Sequence, residues 1–402
     1  MLQPRRRRSI PVLQLALALV AAAPLSASAE LPAYGPIAPP DELGPHDVGR
    51  TTFSIVDASR DDRTLTVDVW YPIDAADAIG PPSVYDLVFA GIVSEVAFDS
   101  PPVSSDGPFP LVVFSHGNDG IRFQSFFLCE ALASHGFVVA APGHAGNTAL
   151  DLLFPGTPFE TRDRPLDVSF VISTMLARSA DSADAFFDSV DPERIGVAGH
   201  SFGGFTALAM ASGFDDVPPD PRVGVIMPIS PASSILDDAR LQGIWTPTFV
   251  LGGTADVTTP VDPQSARPFT LIPARPRYRV DIVDAGHGSF TDICQIADAL
   301  IAAGLPPFLL DFLLANVEEG CAPELIPIEE AQRITNLYAV SFFQRHLGLD
   351  PRYARYLTPG FAASEPDVIF FQVPGCGMGF EAALVVPPLM WLRRRLRAKR
   401  AA

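Results

Sequence analysis

The chain has 402 residues, 48% of them hydrophobic, enough for one large domain with a sizeable core or two modest ones, and no internal repeat divides it. Its 30 Gly and 41 Pro stay well short of a low-complexity composition. The net charge of -18 hides an asymmetry: both termini are basic, and the body from Glu30 to Gly375 carries -27 and no Lys, which disfavours nucleic-acid partners, anionic membranes and Schiff-base chemistry.

Met1 is followed by Arg5 to Arg8, an apolar stretch from Ile10 to Pro24, and Ala27-Ser28-Ala29 before Glu30. A charged start, a short apolar middle and a small-x-small end describe a signal peptide over residues 1–29, too short in its apolar part to span a bilayer. A twin-arginine route is the variant reading, and either one exports the body. Residues 30–47 form a Pro-rich leader of polyproline type. Thr51 to Val56 and Thr64 to Trp70 alternate as two antiparallel strands, and Pro72 to Pro110 reads as a long irregular insertion that covers a sheet edge or reaches the mouth of a site.

From Leu111 the pattern changes. Strand to Phe114, helix near Phe123 to Ser134, strand Val138 to Ala141, helix near Leu166 to Leu176, strand Arg194 to Ala198 and helix Phe205 to Ala211 follow one another. Strands Val223 to Ile229, Thr248 to Leu251 and Tyr278 to Val283 continue the series, which predicts a mostly parallel sheet with helices on both faces, in one domain over residues 48–349. Pro142 to Arg164 is longer than an ordinary connection and carries Leu152, Leu153, Phe154 and Phe159, the composition of a lid or substrate wall. The insertion over residues 293–328 is bounded by Cys294 and Cys321, the natural disulfide pair in an oxidising compartment. Its apolar stretch Leu305 to Leu314 reads equally as a small cap or as a core helix. Glu329 to His346 is the last helix.

Residues 350–375 read as a tether and 376–402 as a sorting tail: Gly375-Cys376-Gly377, an apolar run from Phe380 to Leu392, then Arg393 to Arg400. Cys376 is then the point of cleavage or modification; a terminal amphipathic helix on lipid headgroups is the alternative, and both place the protein at a bacterial envelope. Cys129 lies in an apolar helical stretch and is expected as a buried free thiol. No Cys or His spacing suggests a metal, and no Gly-rich fingerprint suggests a nucleotide, so no cofactor is expected.

The chemistry concentrates at strand ends. GHSFGG, Gly199 to Gly204, places Ser201 on a strand-to-helix elbow, where flanking glycines permit the cramped backbone and the Phe202 amide faces the same point as the hydroxyl. Ser115-His116-Gly117-Asn118 follows an apolar strand and offers the Asn118 amide as a second oxyanion donor. Gly252-Gly253-Thr254-Ala255-Asp256 and Asp284-Ala285-Gly286-His287-Gly288 follow two later strands. A serine hydroxyl needs a base to take its proton, so Ser201 is read as nucleophile, His287 as base and Asp256 as the acid that orients it. Asp237 or Asp238 is the alternative acid, Asp284 a turn former and Asp292 a helix cap. His200 packs or bonds behind Ser201, His116 braces its own loop, and His144 faces substrate or stabilises its turn. Phe126, Phe127 and Phe154 are candidates, with His144, for substrate binding; for the aromatic residues the core is the competing assignment.

FPLVVFSHG from Phe109, APGHAGN from Ala141, RPLDV from Arg164, GHSFGG and GGTAD from Gly252 resemble the serine-esterase branch of the α/β-hydrolases, including platelet-activating-factor acetylhydrolase-like and dienelactone-hydrolase-like proteins. The resemblance covers roughly Val48 to Leu347. It leaves both termini and the cystine-bounded insertion outside, and implies an α/β-hydrolase fold, a Ser-His-Asp triad, and a small-molecule or lipid-like ester as substrate; the small cap after His287 is a reading of the insertion itself. Dienelactone hydrolases proper use Cys where this chain has Ser201. Asp256 departs from the eukaryotic acetylhydrolases, whose acid follows an earlier strand, so their phospholipid specificity is not carried over. A polyester, thioester or amide hydrolase of the same fold, and a catalytically silent surface-binding protein, are the alternatives.

Overall fold

The computed structural model describes residues 37–307 and 317–375. The signal-peptide stretch, the start of the Pro-rich leader, most of Leu305 to Leu314 and the tail with Cys376 lie outside the described residues.

Eleven strands among the described residues form one sheet: β1 (Asp47–Asp57), β2 (Arg63–Ile73), β3 (Pro82–Asp86), β4 (Gly91–Asp99), β5 (Phe109–Ser115), β6 (Val138–Pro142), β7 (Val190–His200), β8 (Val223–Ile229), β9 (Thr248–Gly253), β10 (Arg277–Ile282) and β11 (Val368–Val373). Their spatial order is β11-β10-β9-β8-β7-β5-β6-β2-β1-β4-β3. β6, β5, β7, β8, β9 and β10 run parallel to their neighbours within that group. β2 joins the group antiparallel through β6, and β11 does so through β10. All residues of β5 and β6 are buried, as expected for parallel strands covered on both faces. β3 alternates exposed and buried residues because only one of its faces meets protein.

The α-helices among the described residues are α1 (Phe126–Ser134), α2 (Ala149–Leu153), α3 (Asp163–Ala180), α4 (Phe202–Ser212), α5 (Asp238–Gln242), α6 (Arg267–Leu271), α7 (Ile293–Ala302), α8 (Glu318–Cys321), α9 (Ile328–His346) and α10 (Pro359–Ala362), with short turns of other helix types between them. α3 buries Val168, Val171, Ile172 and Met175, one face at helical spacing. α4 lies against β7 and β8, its Phe205 and Leu208 fully buried in the same core as Val113 and Val197. Truncating a side chain such as Phe205 to Ala costs about 3–5 kcal/mol. None of the described helices is long and apolar enough to cross a membrane.

Two stretches differ from their expected character. The Pro72 to Pro110 insertion is not irregular: it contains β3 and β4, which pair antiparallel and extend the sheet, β4 lying parallel to β1. The tether ends in β11, which closes the opposite edge against β10 from Arg277↔Val373 to Ile282↔Val368. Both misreadings have one cause. Short edge strands carry half the hydrophobic signal of buried ones, and Pro around them masks the rest.

Candidate active site

Ser201 sits between β7 and α4 at φ 58° and ψ -116°, a left-handed backbone that a non-Gly residue adopts only when its surroundings impose it. Its amide donates to the Ile229 carbonyl at 2.9 Å. The elbow glycines are required by close approach: a Cβ on Gly203 would collide with the Ser115 carbonyl, and one on Gly199 with the Gly203 carbonyl. α4 begins at Phe202, so the Phe202 amide is a first-turn donor with no carbonyl inside its own helix to bond.

Asp256 follows β9 and His287 follows β10, and the two turns are clasped together. The Ala255 amide donates to the Ala285 carbonyl at 2.9 Å, and a Cβ on Gly253 would collide with that same carbonyl. Asp256 and His287 are 4% and 2% exposed, and Asp256 Oδ2 lies 3.0 Å from His287 Nδ1, which leaves Nε2 free to face the other way. Burial pushes the Asp256 carboxyl up, but hydrogen bonds from His287 and from the Thr259 amide and hydroxyl outweigh it and hold the group below the usual carboxylate range. Thr259 Oγ1 is 2.7 Å from Asp256 Oδ2 and 3.1 Å from His287 Nδ1. Asp237 instead caps α5 by accepting from the Arg240 amide at 2.8 Å, and Asp238 pairs with Arg267. Asp284 takes φ 60° in its turn.

A second chain of bonds runs behind the elbow. The Gly117 amide needs an acceptor and finds Gln124 Oε1 at 2.8 Å, which turns Gln124 Nε2 toward His200 Nδ1 at 3.0 Å. His200 Nε2 then carries the proton and donates to the His287 carbonyl at 2.9 Å. Burial, followed by the neighbouring His287, pulls His200 down to about 3, so it stays neutral while bonding both turns. His116 is likewise buried and neutral, accepting at Nε2 from the His144 amide and donating from Nδ1 to the Gly117 carbonyl. The Asn118 amide follows that carbonyl.

Ser201 and His287 line the floor of one cavity of about 580 Å³, together with Gly117 and Asn118. Among the described residues Ser201 Oγ has no hydrogen-bonding partner, so the hydroxyl is open to whatever enters. The walls are apolar: Leu87 and Phe89 from the turn between β3 and β4, Leu150 and Leu153 from α2, Ile296 and Leu300 from α7. The edge insertion, the long connection after β6 and the cystine-bounded segment thus each contribute a wall. Cys294 and Cys321 are bonded, S–S 2.05 Å, and Cys129 is a buried free thiol.

The four substrate-binding candidates lie off this cavity. Phe126 is buried and stacks on Tyr85 with ring centroids 4.3 Å apart, and Phe127 is half-buried at the start of α1. Phe154 is 70% exposed just beyond α2. His144 is sealed from solvent between Ser115 Oγ at 2.9 Å and Asp167 Oδ2 at 2.9 Å, and burial brings it down to about 4. Asp292 stands at the start of α7 but does not cap it: its Oδ2 accepts from the Phe127 amide at 3.1 Å and Oδ1 faces Gln332 Nε2 at 3.3 Å. Gln124, Thr259 and the wall residues Leu87 and Phe89 carry no sequence signature that would have singled them out.

Residues 82–156 match the sequence family described as platelet-activating factor acetylhydrolase, isoform II. Cutinase est1 of Thermobifida alba is 24% identical over 249 residues, 62% of this chain and 64% of the cutinase. The platelet-activating factor acetylhydrolase of Canis lupus familiaris is 24% identical over 299 residues, 65% of this chain and 62% of that protein. The chain therefore spans somewhat under two thirds of the length of these relatives. Among solved structures, a ferulic acid esterase from Streptomyces cinnamoneus superposes with a TM-score of 0.61 at 26% identity, covering 81% of this chain and 96% of that one. The parallel sheet, the elbow and the strand-end loops are those of an α/β-hydrolase. Within that superfamily its resemblances are to ester hydrolases: a cutinase, a platelet-activating factor acetylhydrolase and a ferulic acid esterase.

Proposed function

We propose that the protein is a carboxylic-ester hydrolase that works through an acyl-Ser201 intermediate. The observation that carries this is the 3.0 Å bond from Asp256 Oδ2 to His287 Nδ1 beside an elbow serine whose hydroxyl opens on the same cavity. Asp256 holds the imidazole with its proton on Nδ1, so Nε2 is the basic nitrogen. Once an ester occupies the cavity, His287 Nε2 takes the Ser201 proton as Oγ attacks the carbonyl carbon; such bonds are commonly long in the empty enzyme and tighten with substrate. The carbonyl oxygen becomes an oxyanion between the amides of Phe202 and Asn118. His287 then hands the proton to the departing alcohol oxygen, the C–O bond breaks, and water deprotonated by His287 releases the acid and restores Ser201.

The apolar walls suit an ester with an apolar acyl or alcohol part, and the proteins the chain resembles include a cutinase and a ferulic acid esterase. Export belongs to the same reading, supported by the leader pattern at residues 1–29 and by a cystine that an oxidising compartment preserves. The decisive experiment is hydrolysis of p-nitrophenyl esters of graded acyl length, with Ser201→Ala as control and a fluorophosphonate as label. Turnover lost in Ser201→Ala with the fold intact, and a label located on Ser201, are expected; substantial residual hydrolysis in that variant overturns the nucleophile assignment.

A further inference from the structure

We infer that Arg164 is the positioning residue that holds both oxyanion amides in register, clamping the loop that carries the Asn118 amide while seating the ring of Phe202, which carries the other. The inference rests on the ester-hydrolase reading above. Arg164 lies near the start of α3, far in the chain from either amide, and is fully buried.

Its guanidinium runs beneath the loop after β5. Nη1 donates to the His116 carbonyl at 2.6 Å and Nη2 to the Gly117 carbonyl at 2.8 Å. The second bond matters most. The Gly117 carbonyl and the Asn118 N–H belong to one planar trans peptide and point in opposite directions, so fixing that oxygen fixes the direction of the donor. The other edge of the fork reaches Asn147 Oδ1 from Nε at 2.9 Å and from Nη2 at 2.6 Å. Asn147 in turn donates from Nδ2 to Asn118 Oδ1 at 2.9 Å, so Arg164 grips Asn118 through its peptide and through its side chain. The guanidinium carbon also lies 4.5 Å from the centroid of the Phe202 ring, a cation–π contact. One rigid planar group thus touches both halves of the hole, a geometry the single-point ammonium of Lys cannot reproduce.

The base of the loop is braced separately. Ser115, His144 and Asp167 repeat the residue types of a catalytic triad at 2.9 Å and 2.9 Å, yet all three are sealed from solvent, and Asp167 is paired with Arg63 and Arg60. With no room for a reactant, this set supports the strand end from which the clamped loop departs.

Arg164→Lys tests the inference, with Asn147→Ala as the milder variant if the Lys form fails to fold. The rate is read as kcat and KM separately, together with inhibition by a phenylboronic acid, which binds the serine oxygen as a tetrahedral anion and so reports on the hole. Loss of one oxyanion donor costs about 100-fold or more in kcat; a drop of that order is expected for Arg164→Lys and about tenfold for Asn147→Ala, each with KM within about threefold of wild type and boronate affinity falling in step with kcat. A folded variant with wild-type kcat, or one whose loss is confined to KM or thermal stability with boronate affinity intact, overturns the inference. Wild-type protein that cleaves no ester, or Ser201→Ala that still does, sinks the hydrolase reading and this inference with it. An active wild type, a dead Ser201→Ala and a full-rate Arg164→Lys sink the inference alone.

Discussion

Glu319 Oε1 accepts from Thr258 Oγ1 at 2.6 Å, across 61 residues of chain, and so ties the cystine-bounded segment to the turn that carries Asp256. Glu319 Oε2 also receives the amides of Val257 and Thr258. α8 presses on the other turn as well: a Cβ on Gly286, next to His287, would collide with the Glu319 carbonyl. Cys321 in α8 is bonded to Cys294 in α7, whose Ile296 and Leu300 form a cavity wall. The turns of Asp256 and His287 and the cavity wall are therefore held by one cross-linked unit.

Removing that cross-link in Cys294→Ser/Cys321→Ser is expected to cost about 3 kcal/mol, the entropy of freeing a loop of this length in the unfolded chain. Thermal unfolding with and without reductant measures it. The double variant should melt lower than wild type and become insensitive to reductant, and kcat should fall severalfold as the Asp256 turn loosens. Equal melting temperatures would show that the contacts of Glu319 hold the segment without the cystine.

Asp256→Asn keeps the shape of the acid but can present an amide N–H to His287 Nδ1, which moves the imidazole proton to Nε2 and removes the base. A fall in kcat of about 10⁴-fold is expected, the size seen when a triad acid loses its charge with the geometry intact. Thr259→Val removes the hydroxyl 2.7 Å from Asp256 Oδ2 and is expected to cost about fivefold to tenfold, the rate equivalent of one hydrogen bond. Asp237→Asn should leave kcat unchanged, since that side chain caps α5; a large loss there and none in Asp256→Asn would reverse the assignment of the acid.

What the sequence revealed and what it hid separate along physical lines. Ser201, Asp256 and His287 each lie just past the C-terminal end of a strand, so their common placement at one rim follows from strand direction alone, and the elbow glycines announce the turn. Gln124 and Thr259 act through individual hydrogen bonds that no period or spacing marks, and RPLDV shows that Arg164 belongs to a familiar stretch without showing what its guanidinium grips. The aromatic candidates failed for the converse reason. Phe126 and Phe127 lie on a helix apolar on most sides, where the pattern does not say which side meets the cavity, and the wall came instead from Leu87 and Phe89 on a hairpin concealed by Pro.

Asp292 supplies a pH dependence of stability. It is 3% exposed, and burial, reinforced by nearby Glu130, raises its carboxyl well above the usual range despite the bonds from the Phe127 amide and Gln332. A carboxyl with a folded pKa above its unfolded value of about 3.9 binds its proton more tightly in the folded protein. Its contribution is thus most favourable in acid and is lost as pH rises from about 4 through the folded value. Asp292→Asn, neutral throughout, should flatten this decline. Denaturant midpoints at pH 5 and pH 8 measure it: the difference between them is expected to be smaller in the variant, and an unchanged difference would assign the slope to other groups.

The apolar wall of α7 makes a prediction about substrate length. Ile296 is 5% exposed and faces the cavity from the helix that the cystine anchors. Ile296→Trp adds bulk where a long acyl or alcohol chain would lie and leaves Ser201, His287 and the two amides untouched. Each methylene denied its apolar contact weakens transition-state binding by about 1–3 kcal/mol. Acetyl esters should therefore keep kcat/KM within about threefold of wild type, while octanoyl esters lose tenfold or more, chiefly through KM. Equal losses for both lengths would mean that the chain leaves the cavity by another wall, and Leu87→Trp on the hairpin side, assayed with the same pair of esters, would then show the length dependence instead.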